Sequence, residues 1–401
     1  MGNTININGQ RGVFMQKEVY LDNSATTKPY TEVVEAMVEM LTENYGNPSS
    51  LHIKGIHAER AVKKARQNIA NALEVKSSEI IFTSGGTESN NIAIRGIAAA
   101  SKKKGNHLIT SVIEHPSVLN TYKYMEEMGY RVSYIQIDRD GIIDMKQLEN
   151  ELGDDTILVS IMHVNNEVGT IQPIKEIRDV LSIKKSQAAF HVDAIQSFGK
   201  IPFTPEEFGI DMLSVSAHKI HGPKGIGALY IKKGLLIKPI IYGGNQETGI
   251  RSGTENVPGM IGFGKAAEQT FANLKENISM MKRLKNKLKE LISMSVDNIV
   301  INGTNDEKSA PHILNVSFPG VRAEVLLHAL ESKGIFVSTG SACSSNKPSP
   351  SHVLTAMGTS RECIEGAIRF SISTFNSIED IEYCAEQLAT IIKQLRKYMR
   401  R

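Results

Sequence analysis

The chain has 401 residues, and its 46 basic and 43 acidic side chains leave a formal net charge of only +3. That balance gives no electrostatic grip on nucleic acid or on an anionic membrane surface. With 41% hydrophobic and 22% charged residues, the composition is that of a soluble globular protein, and the length predicts two domains. No stretch approaches the roughly 18 consecutive apolar residues of a membrane span. The opening MGNTININGQRGVF lacks the apolar centre of a secretion signal, so residues 1–17 read as a lead-in. Three cysteines, Cys343, Cys363 and Cys384, are an odd number with no CxxC pair, which suits a reduced, cytoplasmic setting.

In chain order, β-rich runs are expected at 79–82, 107–111, 131–137, 156–163, 188–193, 212–216 and 228–231. Helical patterns such as 58–73 and 88–103 lie between them. Several runs are continuously apolar, as in ILVSIM, which predicts strands covered on both faces. The alternation predicts an α/β fold with a mainly parallel central sheet between helix layers. One long amphipathic helix is expected over 264–294. After it come a strand in HILNVSF, a helix in AEVLLHALESKG, a strand in IFVSTG, another in IRFSIS and a final helix over 378–399. The expected division is a large domain, 18–260, and a smaller α/β C-terminal domain, 261–401. Cys363 and Cys384 fall in these last helical patterns and read as small core residues.

Ligands of open α/β sheets bind beyond the carboxyl ends of the strands. After the first strand comes Thr83-Ser84-Gly85-Gly86-Thr87-Glu88-Ser89, whose small residues and following helix start can cradle an anion or simply turn the chain. His115 follows the second strand, where a histidine is more often structural. Asn165 and Asn166 follow the fourth; paired amides bind a ligand or build a turn. Asp193 ends an apolar strand, where a carboxylate is costly unless paired, and Gln196 lies just beyond it. Ser216, His218 and Lys219 end the next strand beside a Gly/Pro loop, where a lysine cannot easily reach water. Taken singly, each has a packing explanation. Together they set a phosphate cup, a carboxylate, an imidazole and a lysine on one edge of one sheet, which is what pyridoxal phosphate requires. Asp193 would keep the ring nitrogen protonated, Lys219 would form the imine and act as base, His115 would cover the ring, and Gln196 would bond the ring hydroxyl.

Cys343 stands in STGSACSSNKPSP, a stretch too rich in Ser, Gly and Pro to pack as core, so an exposed loop is expected. A free cysteine is usually buried, and one in such a loop invites a chemical role as a thiolate, against a reference pKa of roughly 8.5.

At these residues the chain resembles the NifS/IscS-like cysteine desulfurases of the class V aminotransferase group. The motifs are YLDNSATT (20–27), NYGNPSSLH (44–52), FTSGGTESNN (82–91), MHVNNEVGTIQPI (162–174), HVDAIQSFGK (191–200), SAHKIHGPKGIGALY (216–230), RSGTENV (251–257), STGSACSS (338–345) and IRFSIS (368–373). The resemblance runs from about Tyr20 to the final helix. It implies a fold-type-I, pyridoxal 5′-phosphate-dependent homodimer that converts L-cysteine to L-alanine. The sulfur would rest on Cys343 as a persulfide and pass to an acceptor protein, an iron–sulfur scaffold or a tRNA-thiolation enzyme. It further implies phosphate contacts at Gly86, Thr87, Ser216 and His218, and ring-side contacts at Asn166 and Gln196. Lys219 would be the Schiff-base lysine, Asp193 the pyridinium partner and His115 the stacking residue. Thr254 would be a phosphate contact given by the partner subunit, and Arg369 the grip on the substrate carboxylate. Asn47 would border the substrate. No metal is implied. Selenocysteine lysis, transamination on the same fold, and a non-catalytic sulfur-relay subunit are the competing readings. The chain ends soon after its last helix, where housekeeping relatives for iron–sulfur assembly carry a scaffold-docking tail; on that ground the acceptor stays open.

Overall fold

The computed structural model describes residues 17–304, 306–339 and 350–399. Its strands are β1 (Val19–Tyr20), β2 (Ile80–Thr83), β3 (His107–Ser111), β4 (Arg131–Ile135), β5 (Thr156–Met162), β6 (Ala189–Asp193), β7 (Met212–Ser216), β8 (Gly227–Ile231), β9 (Val300–Asn302), β10 (Ile313–Ser317), β11 (Ile335–Phe336) and β12 (Ala367–Ser371). Seven of them form the central sheet in the order β2-β8-β7-β6-β5-β3-β4. Only β8 runs against its neighbours, so β2 to β7 all point the same way. Every residue of β5, TILVSIM, is buried, because helices cover both faces of the sheet. Gly86–Ser101 and Pro116–Glu127 pack on one face through Ile92, Ile97, Val118 and Tyr122. Ile53–Leu73, Ile174–Ile183 and Val257–Ala272 pack on the other through Val62, Ile69, Ile177 and Phe263.

A second apolar cluster surrounds the antiparallel sheet β12-β10-β9 and the helices Leu274–Ser295, Ala323–Glu331 and Ile378–Met399. Val19 and Leu21 belong to this cluster, since β1 pairs in parallel with β11. Residues 19–21 are thus fastened to the last third of the chain, and the segment after them crosses to the central sheet.

The single helix expected over 264–294 is two helices, Val257–Ala272 and Leu274–Ser295, separated by Asn273 at φ −122° and ψ 29°. The break follows from burial. The first helix lays Gly259, Gly262 and Gly264 against the central core, and a Cβ at Gly264 would come within 2.5 Å of the Ala65 Cα. The second turns its Met281, Leu284 and Leu288 stripe to the other cluster. Cys384 is fully buried, and burial pushes its thiol up to about 12, so it is inert; Cys363 is only half-buried, on the short helix Arg361–Glu365. Among the described residues, no helix is long and apolar enough to cross a membrane.

Candidate active site

Because β2, β3, β5, β6 and β7 end at one edge, the residues following them close on one cavity of about 270 Å3. Gly86, Thr87, His115, Asn166, Asp193, Gln196, Ser216, His218 and Lys219 all line it, and Arg369 enters from β12. Two expected residues stand elsewhere. Asn47 is exposed, and its Oδ1 accepts from the Ser49 N–H at 2.9 Å in a local turn. Thr254 lies on an exposed loop away from this cavity. Cys343 lies outside the described residues.

Lys219 is placed by the single 3-10 turn Ala217–Lys219 that ends β7. Its Nζ donates to the carbonyls of Ser24 and, at 2.8 Å, of Ala25. The same N-terminal segment is riveted to this turn by Thr27, whose N–H donates to the His218 carbonyl at 2.9 Å and whose hydroxyl accepts from the His221 N–H at 2.7 Å.

Asp193 ends β6. Its Oδ1 accepts from the Ile195 N–H at 3.0 Å and its Oδ2 from the Asn90 amide at 2.8 Å. Burial pushes its carboxyl upward, and nearby His115 with these two donors pulls the other way. His115 caps the helix that Pro116 begins. Its Nδ1 accepts from the Ser117 N–H at 3.1 Å, so in the neutral ring the proton sits on Nε2. Burial holds this imidazole below its ordinary pKa, opposed by Asp193, and the neutral form follows. His218 is pushed down to about 3, by burial and then by Lys219.

Arg369 is only 2% exposed. Its Nη1 donates to the Asn166 carbonyl and its Nη2 to Asp22 Oδ1, both at 2.8 Å, while its buried Nε has no partner among the described residues. Two of five N–H groups are thereby fixed, which sets the plane of the guanidinium and leaves donors for a carboxylate. The site can therefore take an anionic tail at the helix start beside Gly86, a protonated heterocycle at Asp193, a carbonyl carbon at Lys219 and a carboxylate at Arg369.

Sequence reasoning missed Asp22, Ser24, Ala25, Asn90 and Ser117, which hold the cavity's working groups. Asn90 carried a usable signal: it shares a helix face with Ala93, Ile94 and Ile97, and all four are buried. A polar residue on an apolar stripe needs a partner.

The model for "Aminotransferase class-V" matches residues 19–384. The chain belongs to the class V aminotransferase family. It is 46% identical over 382 residues to a protein of Dictyoglomus turgidum named cysteine desulfurase IscS, covering 95% of this chain and 96% of that one. Among solved structures, a "NifS-like protein" superposes with a TM-score of 0.89 at 41% identity, covering 94% of this chain and all of that one. A structure titled "SspA in complex with cysteine" superposes with a TM-score of 0.78 at 35% identity, covering 90% of this chain and 100% of the other. The α/β fold with a mainly parallel central sheet is thus that of the NifS-like members of the class V family.

Proposed function

We propose that this class V protein is a pyridoxal 5′-phosphate-dependent cysteine desulfurase. It converts L-cysteine to L-alanine, holds the sulfur as a persulfide on Cys343, and passes it to an acceptor protein of iron–sulfur assembly or tRNA thiolation. The observation that carries the reading is the meeting of Lys219, Asp193, His115 and Arg369 in one cavity of a chain 46% identical to a named cysteine desulfurase.

The residues present fit the cofactor. Gly86 opens a helix at the cavity, packed so closely on Ile195 that a Cβ would come within 2.0 Å of its Cδ1; the helix start offers free N–H groups to a phosphate, with Thr87, Ser216 and His218 beside them. A buried carboxylate at Asp193 suits a protonated pyridine nitrogen, His115 a ring face, and Asn166 and Gln196 the ring side. When bound, the cofactor supplies an electron sink for bonds at the substrate α-carbon.

The chain's own residues do the rest. Lys219 would hold the cofactor through its Nζ, and the same amine is placed to take the α-proton of the substrate. His115, neutral with hydrogen on Nε2, is suited to giving and regaining a proton. Arg369 orients the substrate carboxylate with the donors that Asn166 and Asp22 leave over. The Cys343 thiolate bonds to the substrate Sγ as the Cβ–Sγ bond breaks. In sum, cysteine and the Cys343 thiol become alanine and the Cys343 persulfide, with no outside oxidant or reductant.

The test is to reconstitute the purified chain with pyridoxal phosphate, look for the visible imine band, add cysteine, and measure alanine and sulfide. A colourless protein would sink the reading. Cys343→Ala should keep the band yet release sulfide roughly 10²-fold more slowly or worse, having lost its nucleophile. Full activity in that variant would remove the acceptor role.

The proposal includes a homodimer. Val34, Val38 and Leu41 form an exposed stripe on the helix Thr31–Thr42, continued by Tyr45, Leu51 and Ile53, with Leu51 96% exposed. Contiguous apolar surface of this kind marks an interface, and Thr254 would then serve the partner's cavity. Leu41→Asp should shift the protein toward monomer in sedimentation velocity; an unchanged dimer would place the interface elsewhere. A cytoplasmic setting and two domains belong to the same proposal, with the boundary at Asn273 rather than 260/261, because the helix Val257–Ala272 crosses the latter and packs on the central core.

A further inference from the structure

We propose that Asn90 is a positioning residue of this site: its one side-chain amide aims and charges Asp193 and ties it, through Ser117, to the acceptor side of His115. The proposal rests on the cavity being the pyridoxal-phosphate site.

Asn90 lies in the first turns of the helix Gly86–Ser101 and is completely buried. Its Nδ2 carries two hydrogens. One points to Asp193 Oδ2 at 2.8 Å, the other to Ser117 Oγ at 2.9 Å. An ionised carboxylate can only accept, so the contact with Asp193 fixes which way round the amide sits. Ser117 Oγ, having accepted from Asn90, turns its own hydrogen to His115 Nδ1 at 2.8 Å. In the chain Asp193–Asn90–Ser117–His115, Asn90 thus donates both ways and Ser117 donates on to His115. Asn90 is the only side-chain amide or hydroxyl donor to Asp193 among the described residues; the other donor is the main-chain N–H of Ile195. It helps hold Asp193 ionised against full burial.

The arrangement has a cost that packing alone would not retain. Asn90 Oδ1 is buried with no partner among the described residues, and an unsatisfied acceptor in such a place is unfavourable. Leucine would fill nearly the same space and match Ala93, Ile94 and Ile97. The asparagine makes sense through its two donors.

The deciding comparison uses the full chain as wild type, Asn90→Leu and Asn90→Asp. Asn90→Leu keeps the volume and removes the orphaned oxygen, but it also takes a donor from the buried Asp193 carboxylate and the Ser117 hydroxyl, so its melting temperature should fall only modestly. It should still bind pyridoxal phosphate about tenfold more weakly, having lost a charge-assisted bond, and move the pH midpoint of the visible band. Asn90→Asp sets two carboxylates against each other and should weaken binding further. Affinity and midpoint within twofold of wild type in Asn90→Leu would overturn the proposal. If the wild type itself binds no cofactor, the reading of the site fails instead. The apo-protein then still decides about Asn90, through 15N signals of the His115 ring assigned with His115→Gln. Those signals should move in Asn90→Leu; signals identical to wild type would overturn the positioning role.

Discussion

Lys219→Ala is expected to lose essentially all conversion of cysteine to alanine, by more than the roughly 10²–10⁴-fold that a positioned proton-transfer group contributes, because the same amine also anchors the cofactor. The lysine has little freedom to be replaced from nearby. It sits on a one-turn 3-10 segment, and two carbonyls from residues 24 and 25 hold its Nζ. Lys200, a second buried amine, borders a separate small cavity of about 20 Å3 that Lys219 also borders. That space holds about one water molecule, not a substrate. The measurement is alanine formed per hour, together with the visible band after borohydride reduction and desalting. Covalent label retained at full stoichiometry in Lys219→Ala would assign the anchoring role to another lysine.

Lys200→Met is expected to stabilise the protein, and more so at neutral than at alkaline pH. Lys200 is 5% exposed, and its Nζ has no hydrogen-bond partner among the described residues. Burial, then the positive charges of Lys219 and Arg369, push its pKa from 10.5 down to about 7. The sign follows from linkage. The folded state prefers the neutral amine, so above the unfolded value the lysine costs nothing electrostatic. As pH falls from 10.5 toward 7 the unfolded chain gains a proton that the folded chain refuses, and stability is lost throughout that window. At about 1.36 kcal/mol per pH unit the ceiling is roughly 5 kcal/mol, and relaxation with water entry should leave about 2–3. Thermal melting of both proteins at pH 7 and pH 10 checks it. A variant that gains nothing at pH 7, or gains equally at both, would mean that Lys200 is not a buried unpaired amine.

The sheet was readable because its signals are local. A run such as ILVSIM, too short for a helix, reads as a strand covered on both faces, and the residue after each strand follows from where the run stops. The direction of those strands then placed Thr87, His115, Asn166, Asp193 and Lys219 on one edge. The helix Thr31–Thr42 escaped notice because it is apolar on two sides: Val33 and Met40 face the core while Val34, Val38 and Leu41 face outward, so no single period stands out. The break at Asn273 was hidden because both halves are helical and only their burial in different cores separates them. Asp22, Ser24 and Ala25 acquire their roles from chain crossings of more than a hundred residues, which no spacing reveals. Asn90 signals only that it needs a partner, and Ser117 signals nothing, until the carboxylate they serve is placed beside them.

The fastening of residues 19–27 to the end of the chain has a consequence for how the protein is made. Asp22 meets Arg369 across 347 residues, and the Asn23 amide reaches the carbonyl of Ser371 across 348. A ribosome has already exposed every residue of the central sheet when those partners are still unsynthesised. The nascent chain can therefore fold its sheet early and hold Lys219 near its final place. It cannot lock the carbonyls of Ser24 and Ala25 against that lysine, or orient Arg369, until translation is nearly complete. A truncated product ending before Arg369 would lack the guanidinium that Asn166 and Asp22 orient in the cavity.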